Sequence, residues 1–223
     1  MSATNDALRL TIIYDNEAAV GSLEADWGFA CVITGARIPT ILFDTGANGN
    51  ILMSNMQQLG IDPASIDAVF LSHHHLDHTG GLSHFLNANR DVDVYVPVSL
   101  RGIRGVRELI RIRDAQLLTN HLYSTGELAG IEHSLVIGMT SGLLVVTGCS
   151  HPPMRDILTA AGQFGTVYGI IGGFHGFREF DLFRDLQLIC PAHCTRYASE
   201  IRERYPDTTI PAGTGRVITL EQP

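Results

Sequence analysis

The segment that decides how this sequence is interpreted is residues 72–78, Ser-His-His-His-Leu-Asp-His. It follows a short apolar run and precedes a stretch with helical periodicity. Because side chains alternate along an extended chain, His73 and His75 point the same way and can bind one metal ion together. Asp77 and His78 follow where the chain turns into a helix, and they can reach a second ion. The segment therefore predicts a site for two divalent metal ions.

The donor types narrow the choice of metal. Imidazole and carboxylate ligands suit zinc, iron or manganese better than calcium, so we expect zinc, with manganese, iron or magnesium as alternatives. The competing interpretation is a polar loop with surface histidines. Four histidines and one aspartate within six residues are difficult to reconcile with a solvated turn. His74 points away from its neighbours and is expected to have a structural or supporting role.

Each ion needs a further ligand from elsewhere in the chain. Polar or histidine-bearing loops follow five predicted strands, and α/β folds bring such loops to one edge: residues 44–46, 72–78, 148–151, 172–175 and 191–193. His151 is the candidate for the first ion and His193 for the second, with a buried hydrogen-bonded histidine as the alternative for each. His175 follows two glycines that allow a close backbone approach, and it is expected to be a ligand or a substrate contact. The remaining histidines are expected at the surface or behind the ligands: His84, His121 and His133.

The four cysteines, at positions 31, 149, 190 and 194, match neither a disulfide framework nor a zinc ribbon. Reduced thiols are therefore expected. Cys149 lies in a Gly-Cys-Ser-His turn, where a thiolate could bind or bridge metal ions, but a small buried packing residue is the slightly favoured interpretation. Cys190 and Cys194 flank His193 and are also interpreted as packing residues.

Hydrophobic periodicity predicts the fold. Short apolar, β-branched runs indicate strands at residues 10–14, 29–34, 40–43, 68–71, 92–96, 134–137, 143–146, 167–171, 188–190 and 217–220. Helical patterns occur at residues 49–59, 80–87, 101–111, 154–161, 177–186 and 195–205. Early strands follow one another through turns and later strands alternate with helices. This order predicts an α/β fold, a four-layer αββα sandwich of two mixed β-sheets with helices outside; a doubly wound sheet is the alternative.

Length and composition limit the classes of function. The length of 223 residues suits one domain spanning residues 1–223, and the formal net charge of −8 disfavours nucleic-acid binding. All 15 basic residues are arginine, so Schiff-base and P-loop lysine chemistry are excluded. No apolar run approaches the roughly 18 residues of a membrane span, and the polar N-terminus is not typical of a signal peptide. We therefore expect a cytoplasmic protein without membrane contact.

A group of arginines bears on the substrate. Arg101, Arg104, Arg107 and Arg111 recur at near-helical spacing and could form a face that binds phosphate. A solvated helix face is the more common origin of such spacing. The expected partner is a small, anionic, phosphate-bearing molecule. An exposed apolar helix face could also support a homo-oligomer.

The His-x-His-x-Asp-His pattern of residues 73–78 resembles the signature of the metallo-β-lactamase superfamily of dinuclear metal hydrolases. Residues 43–46, Phe-Asp-Thr-Gly, are similar to the Asp-Thr-Gly turn of that superfamily, which implies that Asp44 orients a metal-bound histidine. In most members an aspartate that ends a strand bridges the two ions. Here Cys149 or His151 holds that place.

A narrower resemblance is to the dihydropterin-aminobenzene ribofuranosyl phosphate synthase-like branch, which is linked to methanopterin biosynthesis. It covers nearly the whole chain and rests on residues 15–16, 27–29, 147–152, 172–175 and 193–195. Pro153 and Arg196 depart from this branch, because glycine is expected at both positions.

The resemblance implies a hydrolase or group-transfer enzyme in which the metal pair generates a hydroxide that attacks the substrate. Asp77 and His175 are the expected catalytic residues, since Asp77 would also orient the hydroxide. A pterin-coupling synthase would use the same ions to hold a pyrophosphate leaving group. A metal-dependent nuclease, a ligand-binding sensor or an iron redox protein could also carry such a site.

Overall fold

The computed structural model describes residues 7–222, which contain thirteen strands and five α-helices. The strands are β1 Ala7–Tyr14, β2 Ala30–Gly35, β3 Ile38–Phe43, β4 Ala68–Phe70, β5 Asp93–Pro97, β6 Glu108–Ile112, β7 Gln116–Thr119, β8 Leu122–Ser124, β9 Leu135–Met139, β10 Gly142–Thr147, β11 Val167–Gly173, β12 Leu188–Ala192 and β13 Val217–Glu221. The helices are α1 Gly49–Gln58, α2 Leu76–Thr79, α3 Leu82–Ala88, α4 Met154–Gly162 and α5 Ala198–Arg204. Short 3₁₀ helices lie at Pro63–Ser65 and Phe180–Phe183. In this part of the chain, none of the helices has the length and apolarity to cross a bilayer.

The strands form two mixed sheets. One sheet has the order β13-β1-β2-β3-β4-β5-β6, and the other has the order β12-β11-β10-β9-β8-β7. Strands β3 to β6 run parallel in the first sheet, and β10 to β12 run parallel in the second. The remaining neighbours are antiparallel. The predicted pair of mixed sheets is confirmed, and the doubly wound alternative is wrong.

Alternation along the strands builds the four layers. Leu8 and Leu10 of β1 belong to the apolar core between the two sheets, whereas Ile13 faces the cluster that also contains α1 and α3. In the second sheet, Leu144 of β10 faces the core between the sheets, and Val145 faces the cluster that also contains residues of α4 and α5. Each such side chain contributes about 1.5–3 kcal/mol when it is fully buried. Helices therefore cover the outer face of both sheets.

The loops that carry the polar residues meet at one edge of the sandwich. The carboxyl ends of β3 and β4 lie side by side in one sheet, and those of β10, β11 and β12 lie side by side in the other. All five loops singled out in the sequence leave these ends. The prediction that these loops converge is confirmed by the contacts among their side chains.

The predicted helix at residues 101–111 is wrong. Residues 101–107 are irregular, and β6 pairs in parallel with β5. Gly102 and Gly105 have φ of 92° and 72°, which are incompatible with an α-helix. Arg107 instead forms ion pairs with Asp91 and Asp93, so the four arginines do not share a helical face.

Other differences from the sequence prediction are smaller. The helical pattern at residues 177–186 forms only the 3₁₀ helix Phe180–Phe183. Strands β7 and β8 were not predicted, because they are short and half of the residues of β7 are exposed. All ten predicted strands and the other four helices are present, with shifted ends.

Candidate metal centre

Three imidazoles converge at the first donor set, which consists of His73, His75 and His151. The Nδ1 atom of His75 lies 3.0 Å from Nε2 of His73 and 3.1 Å from Nε2 of His151. Each facing pair of ring nitrogens needs one donor and one acceptor, and a single Nδ1–H cannot point at both partners. A divalent ion that accepts the three nitrogen lone pairs would satisfy them together, so this donor set fits a metal. The structure thus brings together the three histidines expected around the first ion.

The second donor set lies beside the first and consists of Asp77, His78, Cys149 and His193. One ligand atom from each of these residues lies within 4.8 Å of the others. Asp77 Oδ2 is 3.2 Å from Nε2 of His193, and Cys149 Sγ is 3.1 Å from Nε2 of His78. Carboxylate, imidazole and thiolate are all ligands of zinc-type ions. This set contains the three residues expected around the second ion, together with a cysteine.

Asp44 anchors the loop at residues 72–78, called the histidine loop below. Its fully buried carboxylate lies 2.7 Å from Nδ1 of His78, which leaves Nε2 of that ring free to face the donor set. The same carboxylate accepts hydrogen bonds of 2.7 Å from both N–H and Oγ–H of Ser72, and that hydroxyl lies 2.9 Å from Nδ1 of His73. Burial lowers the pKa of His78, but the Asp44 charge and hydrogen bond outweigh burial and raise it. These contacts agree with the orienting role that the sequence resemblance implied for Asp44.

His193 is held by residues near the N-terminus. Its Nδ1 lies 2.9 Å from Oδ1 of Asn16, and its backbone N–H donates to Asp15 at 3.0 Å. Burial raises the pKa of Asp15 to about 6. The exposed Trp27 packs edge-on against His193 at 4.9 Å, and its Nε1–H donates to Asp77 at 3.0 Å. The resemblance had pointed to Asp15, Asn16 and Trp27 without giving them a role.

Sequence reasoning missed Glu132, which shapes the loop after β10. Its buried carboxylate accepts hydrogen bonds of 2.9–3.2 Å from the backbone N–H groups of four consecutive residues, 148–151. Ser150 has φ of 56°, which turns these N–H groups toward one point. The loop wraps around Glu132 and presents Cys149 and His151 to the donor sets. A glutamate that binds only backbone and a threonine hydroxyl leaves no motif in the sequence.

Burial favours the neutral form of the clustered imidazoles other than His78. It lowers the pKa of His193 to about 4, and it also lowers the pKa values of His73, His75 and His151. Burial raises the pKa of Asp77, but the neighbouring His78 and His193 and the Trp27 hydrogen bond outweigh it, so the net shift is downward. Neutral imidazole and ionised carboxylate are the forms that bind metal.

Cys149, His175 and Cys194 form a third group of adjacent donors. The Sγ atom of Cys194 lies 3.2 Å from Sγ of Cys149, so Cys194 contacts a donor residue in addition to packing beside it. Their hydrogen bond raises the pKa of Cys149, where burial acts in the same direction, and lowers the pKa of Cys194 to about 7. Cys190 does lie in the core between the sheets. The side chain of Cys149 is buried, as a packing role predicts. It also contacts Nε2 of His78, which a packing role alone does not explain.

The other histidines lie at the surface or behind the histidine loop. His84 is exposed and His121 is half-buried; His74, for which a supporting role was expected, is also exposed. His133 is fully buried behind the loop: its Nε2 lies 2.9 Å from the carbonyl oxygen of Leu71 and its ring stacks on Phe70. It supports the end of β4 from which the histidine loop leaves.

His175 stands at the rim of the centre. Its exposed ring lies 5.0 Å from the ring of His151, and its φ of 40° places it in the left-handed region. The carbonyl of His175 accepts a hydrogen bond from Arg196 N–H at 2.9 Å, which ties the loop after β11 to the loop after β12. The side chain therefore borders the donor sets and faces solvent.

Comparison with known families agrees with this fold. Residues 35–152 match the metallo-beta-lactamase superfamily, and the chain belongs to this superfamily, whose members are usually metal-dependent hydrolases.

Particular relatives include an archaeal synthase. The chain is 25% identical over 225 residues to 7,8-dihydropterin-6-methyl-4-(beta-D-ribofuranosyl)-aminobenzene-5'-phosphate synthase of Methanocaldococcus jannaschii, with 72% of this chain and 76% of that protein covered. It is 23% identical to protein MJ0448 of the same organism, with 95% of this chain and 100% of that protein covered.

Among solved structures, Tm1679, a metal-dependent hydrolase of the beta-lactamase superfamily, has a TM-score of 0.78 at 21% identity, with 96% of this chain and 100% of that chain covered. YhfI from Bacillus subtilis, a metallo-beta-lactamase fold protein, has a TM-score of 0.70 at 14% identity over the same shares. These similarities confirm the four-layer fold.

Proposed function

We propose that this protein is a dinuclear metal-dependent enzyme that hydrolyses a small anionic substrate or transfers a group from it. The observation that carries the proposal is the pair of adjacent donor sets at the edge of the sandwich. His73, His75 and His151 would hold one ion, and Asp77, His78 and His193 would hold the other; zinc is the proposed metal. Bound ions would lower the pKa of a coordinated water toward neutrality and offset charge on a substrate oxygen.

The chain's own residues keep this site in a fixed geometry. The Oδ2 atom of Asp77 is held between Trp27 and His193, so its orientation does not depend on the substrate. Asp44 and Asn16 fix the ring orientations of His78 and His193 through the nitrogens that face away from the centre. Such preorganisation avoids a reorganisation cost during the reaction. We propose that His175, at the exposed rim, contacts the substrate and can hold a proton for the leaving group.

A cavity beside the first donor set supports a small anionic substrate. It has a volume of about 430 Å³ and is lined by His151, His175 and Arg178 among others. A second cavity, of about 490 Å³, is lined by His74, Leu76, Leu100, Arg101 and Arg104 among others, and none of the donor residues lines it. Both volumes fall in the range typical of small-molecule sites, and arginine binds phosphate groups with paired hydrogen bonds. Arg178 therefore borders the first donor set, although it is not one of the four arginines of the predicted helical face.

Group transfer is a second candidate because of the similarity to the Methanocaldococcus jannaschii synthase. In that case an acceptor, such as an arylamine, would take the place of water, and the same residues would hold an anionic leaving group. The two candidates differ in stoichiometry, since hydrolysis consumes one water per bond broken and transfer consumes one acceptor. The net charge of −8 continues to disfavour a nuclease.

The first test is the metal content of the purified protein by elemental mass spectrometry. We expect about two divalent ions per chain, with loss of one or both in His75→Ala and Asp77→Ala. His84→Ala is the matched control, because His84 is exposed and lies outside both donor sets. A wild type that is metal-free and cannot be reloaded would contradict the proposal.

Reaction type is tested with phosphodiester and lactone probes. Hydrolysis predicts turnover in buffer alone that stops on chelation and returns with metal. Transfer predicts product only when an arylamine acceptor is added. Turnover that persists after complete removal of the metal would rule out both candidates.

A further inference from the structure

We propose that the thiolate of Cys149 is a ligand shared by both metal ions, so that the pair is bridged by sulfur. This inference rests on the proposed dinuclear centre and specifies how its two ions are joined. Cys149 is the residue common to all three groups of potential ligands within residues 7–222. One group combines it with His73 and His151, and another combines it with Asp77, His78 and His193. No other residue is shared by these two groups.

The position of the sulfur is compatible with a bridge. In each of the two groups, Cys149 Sγ lies within 4.8 Å of every other ligand atom, and it lies 3.1 Å from Nε2 of His78. Zinc–sulfur bonds are about 2.3 Å long, and paired ions stand about 3.5–4 Å apart. One sulfur can therefore reach two ions at once.

The backbone fixes Cys149 at this point. Its N–H donates to Glu132 at 3.0 Å, within the run of four N–H groups that the carboxylate holds. Gly173 permits the close approach of Cys194, because a Cβ at position 173 would lie 2.6 Å from Sγ of Cys194 and 3.2 Å from Cα of Cys149. The sulfur is thus presented to the centre by a loop whose path is already determined.

Cys194 is the competing thiolate. Its Sγ lies 3.2 Å from Sγ of Cys149 and donates its S–H to that sulfur. Geometry distinguishes the two residues, because Cys194 shares a ligand group only with Cys149 and His175. When metal–sulfur bonds form, the S–H bond of Cys149 breaks and its proton passes to solvent, while Cys194 can still donate to the bound sulfur.

Cobalt(II) loading of the full-length protein tests the bridge, because thiolate–cobalt bonds give a charge-transfer absorption in the near ultraviolet. We expect wild type to bind two cobalt ions and the absorption to grow through both equivalents, since each ion gains a sulfur ligand. Cys149→Ser should lose the absorption. Cys149→Asp should keep two ions without it, which also shows that the fold survives. Cys194→Ser and Cys190→Ser, the latter at a buried core cysteine, should behave like wild type.

Three results would overturn the bridge while leaving the dinuclear centre intact. They are two bound cobalt ions without the absorption, an absorption complete after the first equivalent, and loss of the absorption in Cys194→Ser but not in Cys149→Ser. Failure of wild type to bind cobalt or zinc would instead remove the proposed function itself, and the bridge with it.

Discussion

At the scale of single residues, His133 makes the free energy of unfolding depend on pH. Its ring is fully buried between Ser124 and the carbonyl of Leu71. Burial lowers its pKa to about 3 from an ordinary value of 6.5. As the pH falls, the unfolded chain binds a proton before the folded chain does. The stability that neutral His133 contributes is therefore present above pH 6.5 and is lost as the pH falls toward 3.

We expect His133→Gln to have a shallower acid dependence of stability than wild type. Between about pH 7.5 and about pH 5, titration of His133 should remove about 2 kcal/mol of unfolding free energy, and glutamine does not titrate. Urea unfolding at both pH values, with chelator present throughout, measures the difference. His84→Gln, at an exposed histidine, should follow wild type. Parallel pH profiles for wild type and His133→Gln would show that the proton is not excluded by the fold.

Residues that act through their own side chains were predictable, whereas residues that act on the backbone were not. The histidines at positions 73, 75 and 78 lie close together in the sequence, and such spacing is rare outside metal sites. Glu132 binds the backbone N–H groups of residues 148–151. Backbone N–H groups occur in every sequence, so such an interaction leaves no signal in the side chains. The loop at residues 148–151 was recognisable from its side chains, but its interaction with Glu132 was not.

At the scale of elements, the pairing of β10 with β11 controls the spacing of two loops of the centre. Gly172 lies opposite Thr147 in this parallel pair, and its φ is 129°. A Cβ at position 172 would lie 1.9 Å from the carbonyl oxygen of Thr147. The two strands cannot keep their separation with any other residue at this position.

We expect Gly172→Ala to destabilise the protein by at least about 3 kcal/mol, because left-handed strain and a backbone clash act together. The same change should lower the number of bound metal ions, since Cys149 and His175 follow the two strands. Gly162→Ala is the matched control: nothing lies within 4 Å of its added Cβ, so its stability should change little or rise slightly. Urea unfolding and metal analysis of both variants provide the measurement. Wild-type stability in Gly172→Ala would contradict the close approach.

Element type was predictable where burial is strong and unpredictable where it is weak. The central strands are apolar, and their runs identified them in the sequence. The segment that ends in β6 carries arginines at near-helical spacing, but its glycines and its pairing with β5 override that pattern. Periodicity in an exposed segment is a weaker constraint than a strand partner, which the sequence does not reveal.

At the scale of the whole molecule, each donor set draws on both sheets. His75 and His151 are 76 residues apart, and Asp77 and His193 are 116 residues apart. An ion bound to either set would cross-link the two sheets. Because only the folded chain assembles these sets, metal binding would stabilise the folded state.

Removal of the metal should therefore lower the thermal midpoint. At about 1,000 times the dissociation constant, a bound ion contributes about 4 kcal/mol, which corresponds to a shift of about 8–16 °C for a chain of this size. Thermal unfolding with chelator, and again after zinc is restored, measures the shift. The variant Asp77→Ala should respond less than wild type. An unchanged midpoint after complete metal removal would show that the sheets do not depend on the centre for their association.

Backbone strain is concentrated in the loops of the centre. Within residues 7–222, six non-glycine residues have positive φ, and four of them lie in these loops: Asp44, Ser150, His175 and His193. Such conformations cost of order 1–3 kcal/mol each and persist only when the surroundings enforce them. Glycine at these positions would relieve the strain but would remove the side chains that define the centre. Selection for thermostability alone would thus favour replacement of these four residues, at the expense of the metal centre. Stabilised variants that keep the centre are best sought at positions remote from this edge of the sandwich.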